Sequence, residues 1–133
     1  MTATAPPSGT VTFLFTDIEG STRLWQEQPD AMRAALVRHD EILRTAIESH
    51  GYVVKTMGDG FHAAFAAAHD AVNACIVAQR AIDAEAWATT GSLRVRMGLH
   101  TGPAELRDGD YYGTTVNRAA RVMSVAHGGQ VVC

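Results

Sequence analysis

Two apolar runs, residues 52–57 and 61–65, are separated only by Gly58-Asp59-Gly60. An Asp-Gly step between two such runs is a strong hairpin signal, so the middle of the chain is committed to antiparallel pairing. A third run, Val-Thr-Phe-Leu-Phe-Thr at residues 11–16, is β-branched and aromatic and suits a buried strand. It ends in Asp17, while the hairpin carries Asp59. Two short apolar strands therefore each place a carboxylate at their mouth.

The remaining pattern surrounds these strands with helices. Residues 1–8, with Pro6 and Pro7, read as a flexible N-terminal arm, and residues 9–133 as a single domain. Residues 18–26 suit a short helix. Pro29-Asp30 opens a longer one, in which Met32, Leu36, His39, Leu43 and Ile47 recur at helical spacing up to a stop at Gly51. His39 reads as a helix-face residue at the core margin. A helix over 68–88 is expected to carry Val72, Ile76, Gln79 and Ile82 along one side. Residues 94–99 form a strand, 107–113 are polar and turn-like, 115–126 are helical, Gly128-Gly129 breaks that helix, and 130–133 begin a strand. The order β-α-α-β-β-α-β-α-β predicts an α+β fold of ferredoxin-like type, an antiparallel sheet with helices on one face. The last strand has no closing element after it, which reads as a domain truncated at its C-terminus.

Composition narrows the function classes. A net charge of −3 provides no basic field for nucleic acid. No apolar run reaches bilayer length, and residues 1–30 lack the pattern of a signal peptide. Cys75 sits among Ala and Val and reads as a small buried hydrophobe, and Cys133 is the terminal residue. Neither has a CxxC partner and the six histidines lack metal-ligand spacing, so a reducing, cytoplasmic setting is the expectation. Trp25 and Trp87 read as core or interface aromatics.

Asp17 and Asp59 are hard oxygen ligands suited to Mg²⁺ or Mn²⁺. Two such ions about 4 Å apart can clamp both oxygens of a phosphoryl displacement. Gly20, Ser21 and Thr22 open a helical stretch whose free N–H groups suit phosphate oxygens, and no Walker loop occurs anywhere. Taken singly, each candidate has a plainer reading. Asp17 is a strand-end or cap residue, Asp59 a turn residue, Lys55 a solvated strand residue, Asp110 a loop residue, and Asn117 with Arg121 a polar helix face.

Three segments change that balance. Phe-Thr-Asp-Ile-Glu-Gly-Ser-Thr at 15–22, Lys-Thr-Met-Gly-Asp-Gly at 55–60 and Gly-Thr-Thr-Val-Asn-Arg-Ala-Ala-Arg at 113–121 resemble, in order and spacing, the signature segments of class III nucleotide cyclases. The similarity runs from about Gly9 to the last residue and is closest to bacterial, actinobacterial-like members. The resemblance implies conversion of a nucleoside triphosphate to its 3′,5′-cyclic monophosphate and pyrophosphate. It also implies two divalent cations held by Asp17, Asp59 and the Ile18 carbonyl, base reading by Lys55 and Asp110, and transition-state roles for Asn117 and Arg121. By the same resemblance the protein is a head-to-tail homodimer, in which Asp17 and Asp59 of one chain meet Lys55, Asp110, Asn117 and Arg121 of the other. Lys is donor-only and carboxylate acceptor-only, which complements adenine N1 and N6 and predicts ATP over GTP. A guanylate or mixed-specificity cyclase, and a non-catalytic module that binds nucleotide or a partner, are the alternatives. His62 departs from the family pattern. It either alters the hairpin near the nucleotide or packs against the sheet, and the second reading is preferred.

Overall fold

The computed structural model describes residues 5–88 and 90–133, so the first half of the predicted arm lies outside the described residues. The elements are β1 (Gly9–Ile18), α1 (Ser21–Glu27), α2 (Pro29–Glu48), β2 (Tyr52–Met57), β3 (Gly60–Phe65), α3 (Ala68–Ala84), β4 (Val95–Arg107), β5 (Asp110–Tyr112), α4 (Thr114–Ser124) and β6 (Val131–Val132). The α+β class holds. The strands run β2-β3-β1-β4-β5, with β6 beside β4.

Two features of the sheet depart from the sequence reading. It is mixed rather than wholly antiparallel, because β6 pairs in parallel with β4 through Met97↔Val131 and Gly98↔Val132. The helices also cover both faces. β1 lies between β3 and β4, and its run from Val11 to Thr16 is buried without alternation. Leu14 and Ile18 meet the core under α2 and α3, while Val11, Phe13 and Phe15 belong to a separate core under α4. A continuous apolar run is what a strand covered on both sides requires. Helix α4 comes close to the sheet because β4 offers glycines beneath it. A Cβ on Gly98 would collide with the Met123 backbone, and one on Gly102 with the Thr115 side chain.

The helix boundaries move in explicable ways. β1 continues to Ile18 through pairing with Val95, so α1 starts three residues later than the pattern suggested. Met32, His39, Leu43 and Ile47 are buried along α2, and His39 is fully enclosed rather than marginal. Helix α3 ends at Ala84 and turns a different side inward: Ala71, Ala74, Cys75, Ala78 and Ile82 are buried, leaving Val72 and Ile76 exposed. Small residues let α3 sit close on the sheet, and packing there outweighs the larger side chains beside them. Burial raises the Cys75 thiol to about 12, so it is an inert core residue, while Cys133 is exposed. Trp25 and Trp87 both pack against the larger core, with Trp87 Nε1 donating to the Ile82 carbonyl at 2.9 Å.

The polar stretch 107–113 contains an unforeseen strand. β4 runs on to Arg107, and β5 folds back with Arg107↔Asp110 and Leu106↔Tyr111. Asp108 and Gly109 form the connecting turn, both with positive φ (51° and 77°). That backbone fits a two-residue type I′ turn, for which Asp-Gly is a favoured sequence. Among the described residues, no helix is long and apolar enough to cross a membrane.

Candidate active site

A single row of residues across the sheet builds one end of the site. Lys55 on β2 lies opposite His62 on β3, His62 opposite Phe15 on β1, and Phe15 opposite Gly98 on β4. Residues directly opposite one another share a face, so all four look toward α4. Lys55 reaches this face only because of an irregularity. The β2–β3 register shifts between Val53 and Lys55, placing one extra residue, Val54, in the strand. Without it Lys55 would face the other side of the sheet.

Asp110, the first residue of β5, completes the polar part. Its Oδ2 accepts from Lys55 Nζ at 2.9 Å and its Oδ1 from the Tyr111 backbone N–H at 2.8 Å. Both bonds favour the ionised carboxylate, so the Asp110 carboxyl lies below its ordinary range, the Lys55 bond contributing most. Tyr111 is anchored by its hydroxyl donating to the Pro7 carbonyl at 2.5 Å and by an edge-on contact with Phe13. Burial raises its phenol to about 12. A cavity of about 230 Å³ is lined by Phe15, Lys55, Met57, His62, Asp110, Tyr111, Val116, Asn117 and Ala120. Asn117 is exposed on α4, with Arg121 one turn further on and also exposed.

The carboxylates occupy another part of the sheet. Thr16 pairs with Phe61, and its Oγ1 accepts the Phe61 N–H at 3.1 Å, which ties the end of β1 to the β2–β3 hairpin. Asp17 and Asp59 follow from that tie at the same end of the sheet. The hairpin turn is Gly58-Asp59, closed by Met57↔Gly60, with the positive φ at Gly58. Gly at the first of two turn positions fits a type II′ turn and leaves Asp59 in ordinary backbone. Asp59 Oδ2 is buried and has no hydrogen-bond partner among the described residues. Asp17 is held by Arg96 through two bonds, Arg96 Nε to Oδ1 at 2.6 Å and Arg96 Nη2 to Oδ2.

Arg96 was not legible as a site residue, because a strand reading Arg-Val-Arg-Met-Gly-Leu marks only its alternation. The available signal is register: Arg96 is the cross-strand partner of Asp17. The Asp17 hydrogen bond and charge, with smaller contributions from Glu19 and Asp59, raise the Arg96 guanidinium above its ordinary value. A cation thus already lies against Asp17 and feels the charge of Asp59 from further away. Among the described residues no three His, Cys, Asp or Glu side chains gather as a metal nest. The two carboxylates and the Ile18 carbonyl are a sparse oxygen set, one that suits ions keeping most of their ligands from water and substrate phosphate. The orphaned Asp59 oxygen fits such a use. Gly20 has a left-handed backbone (φ 73°) and no side chain caps α1, so the first N–H groups of the helix, around Ser21 and Thr22, are left without a capping partner.

Among the described residues, the base-side cavity and the two carboxylates are separate. Neither Asp17, Asp59 nor Arg121 lines the space bounded by Lys55, Asp110 and Asn117.

Comparison with known proteins places the fold in a family. Residues 3–133 match the family model for the adenylate and guanylate cyclase catalytic domain. An uncharacterised protein of Mycobacterium tuberculosis is 46% identical over 130 residues, covering 96% of this chain and 43% of that protein. An adenylate cyclase of Neurospora crassa is 37% identical over 152 residues, covering 95% of this chain and 7% of that enzyme. The chain therefore spans less than half the length of these relatives. A solved adenylate cyclase domain of Trypanosoma brucei, described in its monomeric state, superposes with a TM-score of 0.87 at 34% identity, covering 97% of this chain and 74% of that one. Fold, motifs and relatives converge: the chain belongs to the adenylate and guanylate cyclase catalytic domain family.

Proposed function

We propose that the protein is an adenylate cyclase domain that converts ATP to 3′,5′-cyclic AMP and pyrophosphate. The observation that carries this reading is the Lys55–Asp110 pair beside a base-sized cavity. A donor-only ammonium next to an acceptor-only carboxylate matches the N1 acceptor and N6 donor of adenine, whereas guanine offers O6 and N1–H in the opposite sense. In the free chain each of the two groups satisfies the other, and an adenine edge entering between them replaces one charge-assisted bond with two directed ones.

Asp17, Asp59 and the Ile18 carbonyl are the residues that would hold two divalent cations, Mg²⁺ or Mn²⁺. When bound, such ions favour ionisation of the ribose 3′-hydroxyl and neutralise the departing pyrophosphate. Arg96 orients Asp17 beforehand through two hydrogen bonds, and once released from it becomes a free fork for phosphate oxygens. The N–H groups of Gly20, Ser21 and Thr22 face the same end and suit the triphosphate. Arg121 supplies a fixed donor array for charge building on the α-phosphoryl oxygens, and Asn117 orients the ribose.

Since the carboxylates and the base-reading cavity are separate on one chain, a complete site needs a second copy placed head to tail. Each interface of such a symmetric dimer holds two equivalent sites. The test is incubation of the purified protein with Mn²⁺ and either ATP or GTP, with product identification and sizing of the protein. Cyclic AMP from a dimeric species is expected, and no cyclic nucleotide from either substrate would contradict the proposal. Mixing Asp17→Ala with Arg121→Ala, each inactive alone, restores activity if the site is shared. Silence of the mixture would refute the shared site.

A further inference from the structure

The geometry points to His62 as a third base-contacting residue, one whose imidazole forms the polar floor of the purine pocket and helps set nucleotide selectivity. This rests on the cyclase reading of that pocket and adds a residue to it.

His62 is 1% exposed, yet neither ring nitrogen has a hydrogen-bond partner among the described residues. Buried polar atoms are ordinarily satisfied, and an unsatisfied pair in one ring calls for a reason. The ring is not simply filling space at random. It stacks on Phe15 at 4.2 Å between centroids and 14° between planes, and lies 5.6 Å from Phe13. Two aromatic contacts therefore fix its orientation. Its cross-strand partner is Lys55, and it lines the same cavity as Lys55, Asp110 and Asn117.

The charge state fits a neutral contact. Burial first, and then the Lys55 ammonium, push the imidazole down to about 4, against an opposing pull from Asp110. Near pH 7 the ring is uncharged and offers one N–H donor and one bare nitrogen acceptor. Lys55 and Asp110 satisfy the N1 and N6 positions of adenine and leave its second N6 hydrogen and its ring nitrogen acceptors to be matched. A neutral imidazole can match either. Both nitrogens are closed to solvent in the free chain, so a purine that parts the Lys55–Asp110 pair above them gives a partner to an atom that has none, whereas an apolar residue there would give only shape.

The experiment compares wild type, His62→Leu, His62→Asn and Lys55→Glu for binding of 3′-deoxy-ATP, which cannot cyclise, and of inorganic triphosphate, alongside thermal unfolding. His62→Leu should raise the melting temperature of the free protein, because it removes two orphaned polar atoms. The same change should weaken 3′-deoxy-ATP binding about 5–10-fold, the worth of one neutral hydrogen bond, and leave triphosphate binding unchanged. His62→Asn should recover part of the lost affinity. Wild-type affinity for 3′-deoxy-ATP in His62→Leu, with Lys55→Glu impaired, would overturn the role of His62 while leaving the cyclase reading intact. No binding of 3′-deoxy-ATP by wild type would overturn both.

Discussion

The two faces of the sheet have different duties. The face under α2 and α3 is a broad apolar core in which Leu14, Met32, Leu43, Ile47, Phe65 and Met97 are sealed from solvent. Among the described residues, the face under α4 buries a smaller apolar set, Val11, Phe13, Phe15, Ala64, Tyr111 and Ala119. The same face carries His62, Lys55, Asp110 and Asn117 around a cavity. Stability is concentrated where the packing is deep, and the cavity with its polar side chains lies where the packing is thin. A thin face tolerates an unsatisfied imidazole and an exposed ion pair because the other side holds the strands in register.

That contrast is broken most forcefully by truncating the deep face. Phe65→Ala should lower stability by about 3–5 kcal/mol, measured by denaturant unfolding, and abolish activity only through loss of the fold. Arg121→Ala on the exposed side of α4 should do the reverse. Its stability should stay within about 0.5 kcal/mol of wild type. Its kcat should fall about 10²–10³-fold if Arg121 acts in the transition state. A comparable stability loss in both variants would erase the distinction.

Acid sharpens it. His62 is held at about 4 against an unfolded value of 6.5, and burial also keeps His39 below its ordinary value. Between those limits the unfolded chain binds protons that the native chain refuses, so stability falls as pH drops from 6.5 toward 4 and is level with respect to these groups above it. The His62 share is about 3 kcal/mol at pH 4, and unfolding of His62→Leu across that range should show a correspondingly smaller loss. Smaller again is Gly98→Ala, whose new methyl meets the Met123 backbone. It should cost about 1–3 kcal/mol and displace α4. Activity should then fall further than stability, because Asn117 and Arg121 ride on that helix.

Strand and helix order was largely readable because the hairpin turn, the Pro29 start and the Gly51 stop are local signals. The face assignments were less so. The unbroken apolar run of β1 holds the sign of two-sided burial, but its length alone does not say which helix covers which side. β5 was hidden by polarity. Asp108-Gly109 is a hairpin signal like Gly58-Asp59, yet it lies between Arg107 and Asp110 instead of between apolar runs. For α3, helical spacing set Val72, Ile76, Gln79 and Ile82 along one side, and close approach to the sheet buried the alanines beside Val72 and Ile76 instead. Within the site, Lys55 and Asp110 could be named from motif spacing, but their 2.9 Å pairing depends on the shift at Val54 and on β5. Arg96 follows from register with Asp17, which no single strand displays.

The account stands or falls on where a nucleotide binds. The direct measurement is a crystal structure of the protein with Mn²⁺ and 3′-deoxy-ATP. The account predicts a dimer in which the adenine edge separates Lys55 from Asp110 above His62, with metal density on Asp17 and Asp59 of the opposing chain. A bound nucleotide elsewhere, with the Lys55–Asp110 pair unbroken and the Asp17–Arg96 pair intact in every copy, would contradict it.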